Sequence, residues 1–265
     1  MVIFKQNYFI HWGLRLLKPV PDLYGTSSGH SPSVVIQSKT FEKVFLCSFA
    51  DAESRRRRSL RKVGIPVNIA VIGITGVGKS SFINAIRGLT ADDEGAAAVG
   101  VTETTTKIAP YTHPDNPNLK LWDLPGVGTD DFPQAQYLRL ISVDRYDFFV
   151  VISATRFFEV DTWLVKELAK RGKKFVFVRT KVDLDVKNNR RSHPRSHSEE
   201  AVVKNILAST REHLNHTGQT SAELFLIDSY ARHKYDFTLL SDKLLYEVPE
   251  SKTLIESTRS RCVII

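Results

Sequence analysis

Residues 73 to 80 read Gly73-Ile74-Thr75-Gly76-Val77-Gly78-Lys79-Ser80, a complete G-x-x-x-x-G-K-[ST] loop, directly after the apolar run Val67-Asn68-Ile69-Ala70-Val71-Ile72. A short apolar run stopped by glycine predicts a buried strand, and Ser81-Phe82-Ile83-Asn84-Ala85-Ile86-Arg87 predicts the helix that follows. Strand, glycine loop and helix in that order make a phosphate cradle. Gly73, Gly76 and Gly78 let the backbone N–H groups of the loop, that of Val77 among them, turn inward around an anion. Lys79 neutralises β- and γ-oxygens, Ser80 offers a hydroxyl to Mg²⁺, and Ser81 stands in the first turn of a helix whose positive end faces the same phosphates.

A second signal lies 44 positions after Lys79, where Leu119-Lys120-Leu121-Trp122 ends in Asp123-Leu124-Pro125-Gly126. An Asp at the carboxyl end of a strand holds a Mg²⁺-bound water, and the Gly126 N–H meets a γ-phosphate and loses it after hydrolysis. The third signal, Phe175-Val176-Phe177-Val178-Arg179 running into Thr180-Lys181-Val182-Asp183, selects the base. An Asp183 carboxylate accepts from both N1–H and the N2 amino group of guanine, a donor pair adenine lacks. Lys181 lays its stem along the base or braces the phosphate loop. Between the first two signals, Gly100-Val101-Thr102-Glu103-Thr104-Thr105-Thr106 occupies the place of a switch threonine, and three adjacent threonines leave its identity open. Glu103 is a solvated loop charge or a group that orients water.

Strands are expected near 67–72, 105–111, 118–123, 147–153, 174–179 and 223–228, with helices near 79–88, 134–143, 159–171, 197–215 and 236–246. This alternation predicts an α/β fold, a doubly wound, mostly parallel six-stranded sheet flanked by helices with phosphates at its carboxyl edge, and the three motifs make it a P-loop GTPase fold. Residues 185–198 read as a variable loop, and His193 and His197 within it have metal-like spacing without further ligands.

Charge divides the chain. Residues 1–65 hold 11 Lys/Arg against 4 Asp/Glu, whereas residues 66–265 hold 26 against 25. The expected nucleotide domain is therefore close to neutral, which argues against a nucleic-acid partner despite the overall formal charge of +8. The basic cluster Arg55–Arg58 with Arg61 and Lys62 reads as a solvated linker or helix end, ahead of a membrane-surface or nuclear-import patch. The stretch containing Trp12, Leu14, Leu16 and Leu17 beside Arg15 and Lys18 reads as a partly ordered tail, with an interfacial helix as the alternative. Two cysteines, Cys47 and Cys262, imply no disulfide framework and a cytoplasmic setting.

From about Pro66 to Pro249 the chain resembles the G domain of the interferon-inducible immunity-related GTPases, p47-type relatives of dynamin. The resemblance rests on Asn68-Ile69-Ala70-Val71, Ser81 through Gly88, His113-Pro114, Trp122 through Gly128, Thr180-Lys181-Val182-Asp183 and Tyr235-Asp236-Phe237. It implies a GTP/GDP-binding, Mg²⁺-dependent GTPase of innate immune defence, acting at intracellular membranes through self-association of G domains and association with related GTPases. It further implies that Glu103 is the acidic switch position linked to hydrolysis across a dimer and that Thr105 is the switch threonine and metal ligand. Asp228-Ser229 stands where the family tends to have Ser-Asn at its last base-contacting loop.

Departures from the family shape the expectation. Val127-Gly128 follows Gly126 with no water-positioning glutamine, so intrinsic turnover is expected to be slow, with a GTP-loaded switch or decoy as the alternative to a dimer-activated enzyme. The family carries a helical domain after the G domain, but 16 residues follow Pro249, and Met1-Val2 lacks the glycine for myristoylation. The chain thus reads as a basic extension over 1–65, a G domain over 66–249 and a short tail over 250–265. That tail ends Cys262-Val263-Ile264-Ile265, a C-a-a-X layout that makes Cys262 a lipidation candidate, or a plain apolar end.

Overall fold

The computed structural model describes residues 65–100, 107–155 and 157–262. Six strands form one sheet: β1 (Val67–Ile72), β2 (Ala109–His113), β3 (Asn116–Asp123), β4 (Phe148–Ser153), β5 (Phe175–Arg179) and β6 (Glu223–Leu226), in the spatial order β2-β3-β1-β4-β5-β6. All neighbours run parallel except β2, which pairs antiparallel with β3. The flanking helices are α1 (Lys79–Arg87), α2 (Tyr137–Leu140), α3 (Glu159–Lys170), α4 (Val182–Ser192), α5 (Glu199–His216), α6 (Phe237–Asp242) and α7 (Val248–Cys262).

Alternation along the central strand explains the layering. In β1, Ile69 and Val71 face a core shared with Phe82, Ile83 and Ile86 of α1 and with Phe237 and Leu240 of α6. Ala70 and Ile72 face the opposite core, built with Tyr137 and Leu138 of α2, Leu164 and Leu168 of α3 and Leu214 of α5. Every residue of β4 is buried, as expected of a parallel strand covered on both faces. Because β1 has β3 on one side and β4 on the other, successive connections leave its carboxyl end in opposite directions and open a crevice there.

The expected strand over 105–111 corresponds to β2, which lies a little later, at Ala109–His113; residues 101–106 fall outside the described set. It folds back on β3 through Pro114-Asp115. His113 secures this hairpin: its Nδ1 accepts from the Asp115 N–H at 3.1 Å, which leaves Nε2 to donate to the Ile86 carbonyl at 3.2 Å. The helix expected over 134–143 is broken into α2 flanked by two short 3-10 turns.

Two findings depart from the sequence reading. Residues 185–198 are not a loop throughout, because α4 covers Val182–Ser192. Only Val182 and Val186 of this helix are buried, too narrow a stripe to register as helical periodicity. Asp183 and Asp185 in its first turn and Arg190 and Arg191 in its last complement the helix dipole. The second is the passage of the last helix through Pro249, which lacks the N–H for an α-helical bond. The backbone widens into a π turn over Lys243–Glu247, where the Val248 N–H donates to the Lys243 carbonyl, and then continues as α7 through the residues read as a tail. Lys252 of α7 holds the Pro66 carbonyl at 2.6 Å and Asp147 at 2.9 Å, and Asp147 also accepts from the Asn68 N–H at 2.8 Å. The amino end of β1 and the start of β4 are thereby pinned to α7.

Candidate functional site

A cleft of about 340 Å³ opens at the carboxyl end of the sheet. Its floor is the loop from Thr75 to Ser81, and its walls come from Val99-Gly100, Gly126, the Thr180–Leu184 segment after β5 and Asp228–Tyr230 after β6. Five segments separated in sequence therefore converge on one volume.

One end of this cleft is formed by the loop after β1 and by the buried Lys79 and Ser80 that open α1. Gly73 sits in a positive-φ conformation at 152°, and a Cβ there would meet the Ile152 carbonyl at 2.2 Å, so only glycine fits between β1 and β4. Lys79, opening α1, folds its Nζ back to the carbonyls of Ile74 at 3.0 Å and Gly73 at 3.3 Å. Asp123 is the register partner of Val71, which brings it alongside the loop, and there the Ser80 hydroxyl donates to its Oδ2 at 2.6 Å. Gly126 presses so closely on Thr75 that an added Cβ would lie 2.1 Å from the Thr75 hydroxyl. The segment after Asp123 is anchored by the Val127 N–H to the Gly73 carbonyl at 3.3 Å and by the Tyr137 hydroxyl to the Pro125 carbonyl at 2.9 Å. Burial holds the Tyr137 phenol far above its ordinary value, so it stays a donor.

The other end is carried on loops braced from below. The Thr180 hydroxyl donates to the Val77 carbonyl at 2.7 Å, which ties the end of β5 to the phosphate loop. Lys181 adopts a left-handed conformation, φ 57°, and extends its Nζ to the Gly76 carbonyl at 2.7 Å, the second of the two arrangements considered for it. Asp183, half-buried in the first turn of α4, lines the cleft. Beneath this turn the buried Arg179 guanidinium donates to the Thr180 carbonyl at 2.7 Å and pairs with Asp185. Burial pushes the Arg179 guanidinium down and the Asp185 carboxyl up from their ordinary values, and each charge opposes the other's shift. Asp161, also buried, accepts from Ser153 Oγ and the Phe158 N–H at 3.0 Å each, and burial raises its carboxyl.

Of the residues singled out by sequence, Gly76, Val77, Gly78, Lys79, Ser80, Ser81, Gly126, Thr180, Lys181, Asp183, Asp228 and Ser229 line the cleft together. Gly73 and Asp123 stand directly behind that lining. Glu103 and Thr105 lie outside the described residues, as does the basic extension up to Gly64. Cys262 closes α7, remote in sequence from the cleft. His197 Nδ1 meets Asn189 Oδ1 at 2.8 Å, and among the described residues no group of three or more His, Cys, Asp or Glu side chains could hold a metal ion. Sequence reasoning did not find Thr75, Leu184 or Tyr230, all of which line the cleft. The adjacency of Leu184 to Asp183 and of Tyr230 to Ser229 was the available signal.

The Ser80–Asp123 pair suits Mg²⁺, a hard cation that takes few protein oxygens and keeps the rest of its shell for water and phosphate. Among the described residues no helix is long and apolar enough to cross a membrane.

A model of the interferon-inducible GTPase (IIGP) family matches residues 57–259. Over 187 residues the chain is 46% identical to the T-cell-specific guanine nucleotide triphosphate-binding protein 2 of Mus musculus, covering 71% of this chain and 45% of that one. Over 183 residues it is 42% identical to interferon-inducible GTPase 1 of Mus musculus, covering 69% and 44%. It thus spans less than half the length of these relatives. Among solved structures, Toc33 from Arabidopsis thaliana in complex with Mg²⁺ and GMPPNP superposes with a TM-score of 0.52 over 74% of this chain and 90% of that one, at 15% identity, a likeness of fold.

Proposed function

The chain belongs to the interferon-inducible GTPase family, and from that premise we propose that its cleft binds GTP and GDP with Mg²⁺ and hydrolyses GTP. The observation that carries this reading is convergence: a buried phosphate cradle and the Thr180–Asp183 base loop line one cleft and are bonded to each other through Thr180 and Lys181. In this reading Lys79 exchanges its two carbonyl partners for β- and γ-phosphate oxygens, and the inward N–H groups of Gly76 to Ser81 bind the remaining oxygens. Ser80 and Asp123 would hold Mg²⁺, Asp123 through water, with Thr105 as a further ligand. When bound, the ion neutralises charge developing on the phosphate oxygens. The Gly126 N–H senses the γ-phosphate. Asp183 accepts from guanine, and Asp228 and Ser229 border the base.

Hydrolysis needs a water placed in line with the γ-phosphate, and the residue after Gly126 is Val127, whose buried side chain cannot orient one. Slow turnover by the isolated chain follows, together with a need for a second G domain to complete the site through Glu103. That buried valine equally favours the rival reading, a GTP-loaded switch that binds related GTPases without turning over. Family membership supports a role in innate immune defence. Action at intracellular membranes, with Cys262 as the candidate lipid attachment, is part of the same proposal. Residues 66–249 would form the nucleotide-binding unit, with 1–65 as a basic extension and 250–265 as a tail.

Single-turnover hydrolysis of GTP measured against protein concentration tests the proposal. A rate constant that rises with concentration is expected of a dimer-activated enzyme. A flat, near-zero rate with tight GTP binding would overturn hydrolysis in favour of the switch.

A further inference from the structure

The loop after β6 is closed at its base by a reciprocal pair of bonds. The Leu226 N–H donates to the Asp236 carboxylate at 2.9 Å, and the Asp236 N–H donates to the Leu226 carbonyl at 2.9 Å. Within the loop, the buried Asp228 carboxylate accepts from the Tyr230 N–H at 2.8 Å and its carbonyl accepts from the Ala231 N–H at 3.3 Å. Arg232 reaches from the same loop to the Ala85 carbonyl in α1 at 3.3 Å. The backbone is thus fixed by its own bonds, yet the side chain it presents, Tyr230, is 83% exposed, the most exposed large apolar or aromatic residue among those described.

One exposed aromatic on a surface needs no explanation by itself. The place of this one does. Tyr230 lines the mouth of the cleft, and its hydroxyl lies 3.4 Å from Ser81 Oγ in the first turn of α1. Ser81 adjoins Ser80 at the phosphate end, whereas Tyr230 follows Asp228 and Ser229 at the base end. A ring rooted at one end whose hydroxyl meets the other lies across the span that a nucleotide's sugar and first phosphate occupy.

We infer that Tyr230 is a nucleotide-contacting residue: its ring covers the sugar and base face of the bound guanine nucleotide, and its hydroxyl, with that of Ser81, donates to the α-phosphate. A tyrosine suits both tasks, because its ring offers an apolar face and its phenol a donor at the far edge. A preformed loop orders few new degrees of freedom when the ligand arrives, so the contact acts chiefly on nucleotide release. This inference rests on the guanine-nucleotide reading above.

The test is release of radiolabelled GDP, with an unmodified sugar, from the full chain and from its Tyr230→Ala and Tyr230→Phe variants, with Mg²⁺ present. Tyr230→Ala is expected to release GDP about tenfold faster, in keeping with the loss of an aromatic stacking surface. Tyr230→Phe, which keeps the ring and loses the donor, should fall between the two, about threefold faster than wild type. All three should melt at the same temperature without nucleotide, and GDP should raise the melting temperature least in Tyr230→Ala. Equal release rates for wild type and Tyr230→Ala, with both binding GDP, would overturn the inference and leave the guanine-nucleotide reading intact. Failure of the wild-type chain to bind GDP at all would overturn both.

Discussion

At the phosphate end of the cleft the charged side chains Lys79 and Asp123 are buried, whereas at the base end the buried Thr180 and Asp228 stand on loops that also carry exposed side chains and are braced from beneath. Lys79 and Asp123 are 6% and 2% exposed, while Leu184 and Tyr230 at the other end are 44% and 83% exposed. Under the proposed function, the contrast matches what each end would have to recognise. Phosphates are alike in every nucleotide and reward a rigid array of N–H groups and one fixed cation. A base is recognised by a few directed hydrogen bonds that leave unpaired groups when the wrong base enters. Such bonds need a loop held at the right height, and in the proposed reading Arg179 and Asp185 under the Thr180–Asp183 turn hold it there.

Lys79→Ala breaks the first end. It should weaken GTP and GDP binding by more than about a hundredfold, since loss of a buried charged partner costs about 3 kcal/mol, while the preference for GTP over ATP survives in competition titrations. Arg179→Met breaks the support of the second. It leaves Asp185 half-buried without its cation, so denaturant unfolding should show a loss of about 2 kcal/mol. In the same variant the preference for GTP over ATP should narrow by about tenfold, with little change in the phosphate contribution shared by both nucleotides. Equal damage to selectivity from both substitutions would erase the distinction between the two ends.

The phosphate end was readable in the sequence because its requirements are local: glycines where the backbone must turn, and a Lys-Ser pair at the start of a helix. Asp123 was readable because a strand ending in Asp-x-x-Gly comes alongside β1 in a parallel sheet. The Thr180–Asp183 segment, proposed to read the base, was visible as a motif, but its support was not. Arg179 and Asp185 form a pair only because the chain turns at Lys181 into α4, a helix with two buried residues. The same weakness of apolar pattern hid α4 itself. The last helix was expected to end near 246, and the π turn at Lys243–Glu247 through which it continues past Pro249 has no signature in residue spacing. Tyr230 acquires its place only when the loops after β5 and β6 are set side by side, and no local pattern announces that.

If one end of the cleft holds phosphate and the other reads guanine through Asp183, changing the Asp183 carboxylate to an amide alters the base preferred and leaves the phosphate end as it was. Titration of wild type and Asp183→Asn with GTP and with xanthosine triphosphate tests it most directly. Xanthine carries a carbonyl in place of the guanine amino group, so an amide matches it where a carboxylate does not. Wild type is expected to prefer GTP by about a thousandfold or more, and Asp183→Asn to reverse the order while the phosphate end is untouched. An Asp183→Asn variant that keeps the wild-type preference for GTP would contradict the reading of guanine through Asp183.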